Sequence, residues 1–109
     1  MATAPQVTNT DDILTANDPD FYQAFDKLYE QTWGEGVIPA KYKQLIGVTA
    51  SVIIRCEPCL KYHITMAVEA GATREEITEA LRIAILSGGS AGVPTARHGV
   101  NVMKDLGLL

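Results

Sequence analysis

No long hydrophobic run exists in this 109-residue chain. The longest, Leu45 to Ile54, is ten residues and is broken by Gly47, Thr49 and Ser51, whereas a membrane-spanning helix needs about twenty apolar residues. No membrane association is expected. Basic charge is thin as well: nine Lys and Arg are scattered against thirteen Asp and Glu, for a net charge of −4. Such a surface does not hold a nucleic-acid backbone or anionic lipid headgroups. The first seventeen residues lack the basic start and apolar stretch of a signal peptide, so a cytoplasmic protein is expected. There is no internal repeat, low-complexity tract or dividing linker, which leaves one domain over residues 1–109. Cysteine is scarce too, with two residues three positions apart. In a reducing compartment such a pair is more often redox-active or metal-bound than a structural staple.

What the chain does have is helical periodicity. Residues 1 to 10 show none and read as a loose arm. After Asp18-Pro19-Asp20, the segment FYQAFDKLYEQTW places Phe21, Phe25, Leu28 and Tyr29 at helical spacing, with acids in the opening turn. Trp33 and the stripe of Tyr22, Phe25 and Tyr29 read as core. Pro39 suits the first turn of a second helix, which starts amphipathic and turns apolar on nearly every side. Pro58 disfavours helical geometry at Glu57 and fits a fresh start, so an interruption is expected at Arg55 to Glu57. The helix it opens runs to Gly71. Thr73 and Glu76 then form a capping box, and Ile77, Ala80, Leu81 and Ala84 make one stripe, widened by Ile83, Ile85 and Leu86. Pro94 opens a last helix that Gly107 stops. No segment alternates as a half-buried strand would, so the expected fold is all-α, a bundle of about five or six helices. Two stretches, 42–54 and 80–86, are apolar on more than one face, which a chain this small has little room to cover. A homo-oligomer is expected.

The chemistry concentrates in RCEPCLKYH, Arg55 to His63. With a helix starting near Pro58, Cys59 lies in the first turn, where unpaired amides and the helix dipole favour a thiolate. His63 follows Cys59 by four residues and Cys56 by seven, so all three share a face. A nucleophile with a base one turn away is the usual activated arrangement. A thiolate attacking a peroxide becomes a sulfenic acid, which a second thiol condenses to a disulfide. Two other readings stay open. The cysteines and histidine are packed groups in a non-catalytic oligomeric helical protein, or Cys56, Cys59, His63 and His98 form a structural Cys2His2 zinc clip. His98 otherwise lines the site or packs at an interface. No cofactor is expected: Gly88-Gly89 and Gly92 lack the preceding strand and following lysine of a phosphate loop. Gln44 reads as an ordinary polar helix residue.

The pattern Cys-x-x-Cys-x-x-x-His leading into EAGATREEITEALRIAILSGG resembles the carboxymuconolactone decarboxylase family, in particular its alkyl hydroperoxidase D-like branch, over about residues 39 to 100. The resemblance implies an all-helical subunit in trimers or hexamers and a thiol-dependent peroxidase or disulfide reductase acting on a peroxide or disulfide. It also implies a thioredoxin-like or lipoyl-bearing reductant. Carried onto this chain, Cys59 is the attacking thiol, Cys56 the resolving partner and His63 the proton acceptor. In the peroxidase members a glutamate stands twelve residues before the first cysteine and a histidine directly before the second. Here those places hold Gln44 and Pro58, so the resemblance implies a Cys-Cys-His unit without the full proton relay.

Overall fold

Proline and glycine set the boundaries of nearly every element. The computed structural model describes residues 12–109; the loose arm expected over 1–10 lies outside them. Among the described residues there are six α-helices and no strand: α1 (Asp12–Asn17), α2 (Pro19–Trp33), α3 (Ala40–Ile53), α4 (Glu57–Glu69), α5 (Arg74–Gly88) and α6 (Val93–Asp105). A single 3-10 turn, Ser90–Gly92, precedes α6. Proline occupies the first turn of α2, α4 and α6, where its missing amide proton costs nothing. The capping box of α5 forms as expected: Glu76 N donates to Thr73 Oγ1 at 3.1 Å, and Thr73 N donates to Glu76 Oε1 at 2.9 Å. The sequence reading missed α1, whose six residues are too few to show a period.

The core lies between α3, α4, α5 and α6. Val48 and Val52 meet Leu60 and Ile64, Ile77 and Leu81, and Val102 and Met103, all buried. Thr49 and Ser51, the polar breaks in the apolar run of α3, are satisfied inside it: Thr49 Oγ1 donates to the Ala80 carbonyl at 2.9 Å and Ser51 Oγ to the Gly47 carbonyl at 2.7 Å. The apolar excess of α3 and α5 is not absorbed by this core. Ile46, Ile53, Ile83 and Leu86 stand exposed, Leu86 at 81%.

The aromatic stripe of α2 departs from expectation. None of its residues is buried, because the described residues supply a layer beneath the helix and none above it. Phe21, Phe25, Tyr29 and Trp33 instead form a ladder of ring contacts at 6.0 to 6.3 Å. Its lower end reaches α4.

Three helices end in the same device. After α4, Ala72 N donates to Ala67 O and Gly71 N to Val68 O; after α6, Leu108 N donates to Met103 O and Gly107 N to Lys104 O. Both are Schellman caps with a left-handed glycine, at φ 96° and 82°. After α3 the pattern repeats, with Cys56 N on Ser51 O and Arg55 N on Val52 O, but the left-handed residue is Arg55, at φ 57°. A side chain there costs about 1 kcal/mol or more relative to glycine. Arg55→Gly is therefore expected to raise stability by about 0.5 kcal/mol in chemical denaturation, the strain relieved less the added freedom of the unfolded chain.

Candidate active site

Cys56 is at once the last residue of the α3 cap and the N-cap of α4, so no spare residue separates the two helices. Its sulfur accepts the amide proton of Cys59 at 3.2 Å. The two cysteines are joined as a disulfide across a Cα–Cα distance of 5.3 Å. Both are partly exposed, as a pair meeting an external oxidant or reductant needs to be.

His63, one turn further along α4, is buried. Its Nδ1 lies 2.7 Å from Gln44 Oε1. An amide oxygen only accepts, so Nδ1 carries the proton and Nε2 keeps its lone pair. The Trp33 ring covers the imidazole, with centroids 4.5 Å apart, and Tyr62 meets it edge-on at 5.1 Å. Gly47 forms the remaining wall: a Cβ there would lie 2.6 Å from His63 Cγ and Nδ1. Burial pushes the His63 pKa down to about 4. At neutral pH the ring is uncharged, and among the described residues no hydrogen bond joins it to either sulfur of the disulfide.

Trp33 is held in place from α3. Lys43 Nζ donates to the carbonyls of Thr32 at 2.8 Å and Gly34 at 2.7 Å, placing a cation on the negative end of α2. One turn back, Tyr29 meets Tyr62, and burial together with that neighbour raises the Tyr29 phenol above its ordinary range.

The pairings differ in part from those expected. Cys56 and Cys59 come together, and His63 shares their helix. Gln44, which the residue-by-residue reading passed over, is 5% exposed and bonded to His63. Trp33 covers the ring instead of filling a core. His98 is brought by α6 to the first residue of α4, its Nδ1 3.8 Å from Glu57 Oε1. Among the described residues no three His, Cys, Asp or Glu side chains gather as metal ligands. His63 is engaged by Gln44 and His98 faces Glu57, so the Cys2His2 set is not assembled.

The low His63 pKa has a consequence for stability. The unfolded chain takes up this proton near pH 6.5, the folded one only near pH 4. Stability is full above pH 6.5, falls as pH drops through that window by up to about 3 kcal/mol, and levels below it. Denaturation curves across the window should show this decline in the wild-type protein and a shallower one in His63→Gln.

The comparisons with known proteins agree with the geometry. The model of the carboxymuconolactone decarboxylase family matches residues 19–105. An uncharacterized protein of Cupriavidus necator is 35% identical over 74 residues, 68% of this chain and 66% of that protein, so the match spans just under two thirds of the relative's length. A carboxymuconolactone decarboxylase family protein of Legionella pneumophila superposes with a TM-score of 0.80 at 26% identity, over 85% of this chain and 83% of that one. A Thermotoga maritima protein of the same family, for which a part in the antioxidative response has been suggested, gives 0.76 at 37% identity over 79% and 74%. From the span of the family model and the shared helical frame, this chain belongs to the carboxymuconolactone decarboxylase family.

Proposed function

We propose that the protein is a cytoplasmic thiol-dependent oxidoreductase of the alkyl hydroperoxidase D-like type, a peroxidase or disulfide reductase that cycles Cys56 and Cys59 between dithiol and disulfide. The observation that carries this reading is the disulfide-bonded, partly exposed pair at the start of α4, with Cys56 Sγ on the Cys59 amide. In the oxidising half, His63 takes the Cys59 proton and the thiolate attacks the distal peroxide oxygen. The O–O bond breaks, the alkoxide leaves as the alcohol with that proton, and Cys59 is left as a sulfenic acid. The Cys56 thiol then forms the S–S bond and water departs. In the reducing half, a dithiol of thioredoxin-like or lipoyl type attacks Cys59 Sγ. Cys56 leaves as a thiolate, and the Cys59 N–H that now bonds its sulfur stabilises that charge. The second thiol of the reductant resolves the mixed disulfide.

A homo-oligomer, trimer or hexamer, is part of the same proposal, motivated by the exposed Ile46, Ile83 and Leu86. With Gln44 in place of a carboxylate, His63 is a weak base, so turnover of peroxide is expected to be slow. Alkylation of the reduced protein across pH tests the reading. Cys59 should react faster than a free cysteine near neutral pH; a rate equal to that of a free thiol would return the pair to a packing role in a non-catalytic protein.

A further inference from the structure

Between α5 and α6 runs an open groove of about 530 Å³. Its floor is apolar, with Ile85, Val100 and Met103, and its rim carries Arg74, Arg82 and Arg97. Among the described residues none of these three guanidiniums forms an ion pair or a hydrogen bond. Such a groove fits an apolar segment that brings acids with it.

The chain contains one. Residues 12–35 hold six acids against one lysine, a net charge of −5, whereas residues 36–109 hold eight basic residues against six acids, a net charge of +2. Within the acidic part, Phe21 is 55% and Leu28 62% exposed. They stand seven residues apart, two turns on one face of α2, with Asp18 and Asp20 just ahead of them. Further along α2, Tyr29 and Trp33 meet Tyr62 and His63. Among the described residues none buries Phe21 or Leu28, so this stretch of α2 is open to a second chain.

We propose that the arginine-rimmed groove between α5 and α6 receives the Phe21–Leu28 face of α2 from a second copy of this chain. This rests on the homo-oligomer reading and specifies its contact: apolar side chains on the groove floor, Asp18 and Asp20 against the arginines. Asp18 makes no side-chain cap bond in α2, so its charge is available.

Light scattering on the full chain at micromolar concentration tests it by charge exchange. Wild type should assemble. Arg82→Glu/Arg97→Glu and, separately, Asp18→Arg/Asp20→Arg should each fall to a smaller assembly than wild type, down to the single-chain mass of 11.8 kDa where this contact alone holds the copies, with helical circular dichroism unchanged. Mixing the two should restore assembly, because each exchanged surface then meets its opposite. Phe21→Ser/Leu28→Ser should dissociate the protein without altering charge. Wild-type mass in the charge-exchanged proteins, no recovery on mixing, or dissociation only with Ile83→Lys/Leu86→Lys would overturn the contact. A monomeric wild type would overturn the oligomer reading itself.

Discussion

Replacing Gly47 by alanine is expected to unseat His63 and to lower stability by about 2 kcal/mol, a fall in Tm of about 10 °C for a domain of this size. The added methyl would meet His63 Cγ and Nδ1 at 2.6 Å and Cδ2 at 2.9 Å, distances no pair of carbon or nitrogen atoms sustains. The ring has nowhere to retreat, since Trp33 stands 4.5 Å away on one side and Tyr62 5.1 Å on another. Alanine would by itself favour the helix by about 1 kcal/mol over glycine, so the net loss is smaller than the overlap alone implies. Gly47→Ala in a His63→Ala background should recover that gain. The double-mutant cycle, with the His63 imidazole NMR signals, separates displacement of the ring from a general weakening of α3. Equal stability of Gly47→Ala and wild type would mean that the ring is not held against the helix.

Gln44→Glu should raise the His63 pKa from about 4 toward the neutral range and speed peroxide oxidation of the cysteines by about ten- to a hundredfold. The amide oxygen of Gln44 sits 2.7 Å from Nδ1 and offers a dipole; a carboxylate oxygen in that place would offer a full charge that stabilises the imidazolium. His63 would then hold the Cys59 proton more firmly. The new carboxylate would be buried at a position 5% exposed, so some stability is expected to be lost at high pH, where the ring is neutral and the charge unpaired. An NMR titration of His63 reads the first effect and stopped-flow oxidation the second. Because Gln44 already bonds His63, a raised pKa without faster oxidation would assign the limitation to Pro58, the other departure from the relay.

Much of the helical frame is legible because its stops and starts are chemical. Pro39, Pro58, Pro94, Gly71 and the Thr73–Glu76 box each act within a few residues, and the structure uses them all. Cys56 as a helix cap was also within reach, since Pro58 fixes where α4 can begin. Arg55 was not: a left-handed residue announces itself when it is glycine, and arginine hides the same cap. The Gln44–His63 bond spans nineteen residues and two helices, and no local pattern reports it; only the comparison of spacing with a family relay singled Gln44 out. Trp33 shows a different limit. A stripe says that a face is apolar and not what the face covers, so the residue reads equally well as core or as the roof over an imidazole.

Whether Cys56 and Cys59 form one redox unit is measured most directly by intact mass spectrometry of the reduced protein after a single equivalent of peroxide. The expected product is the protein minus two hydrogens, with a Cys56–Cys59 linkage in the peptide map. Cys56→Ser should instead add one oxygen at Cys59. An unmodified mass, or oxygen added to methionine with both thiols intact, would contradict it.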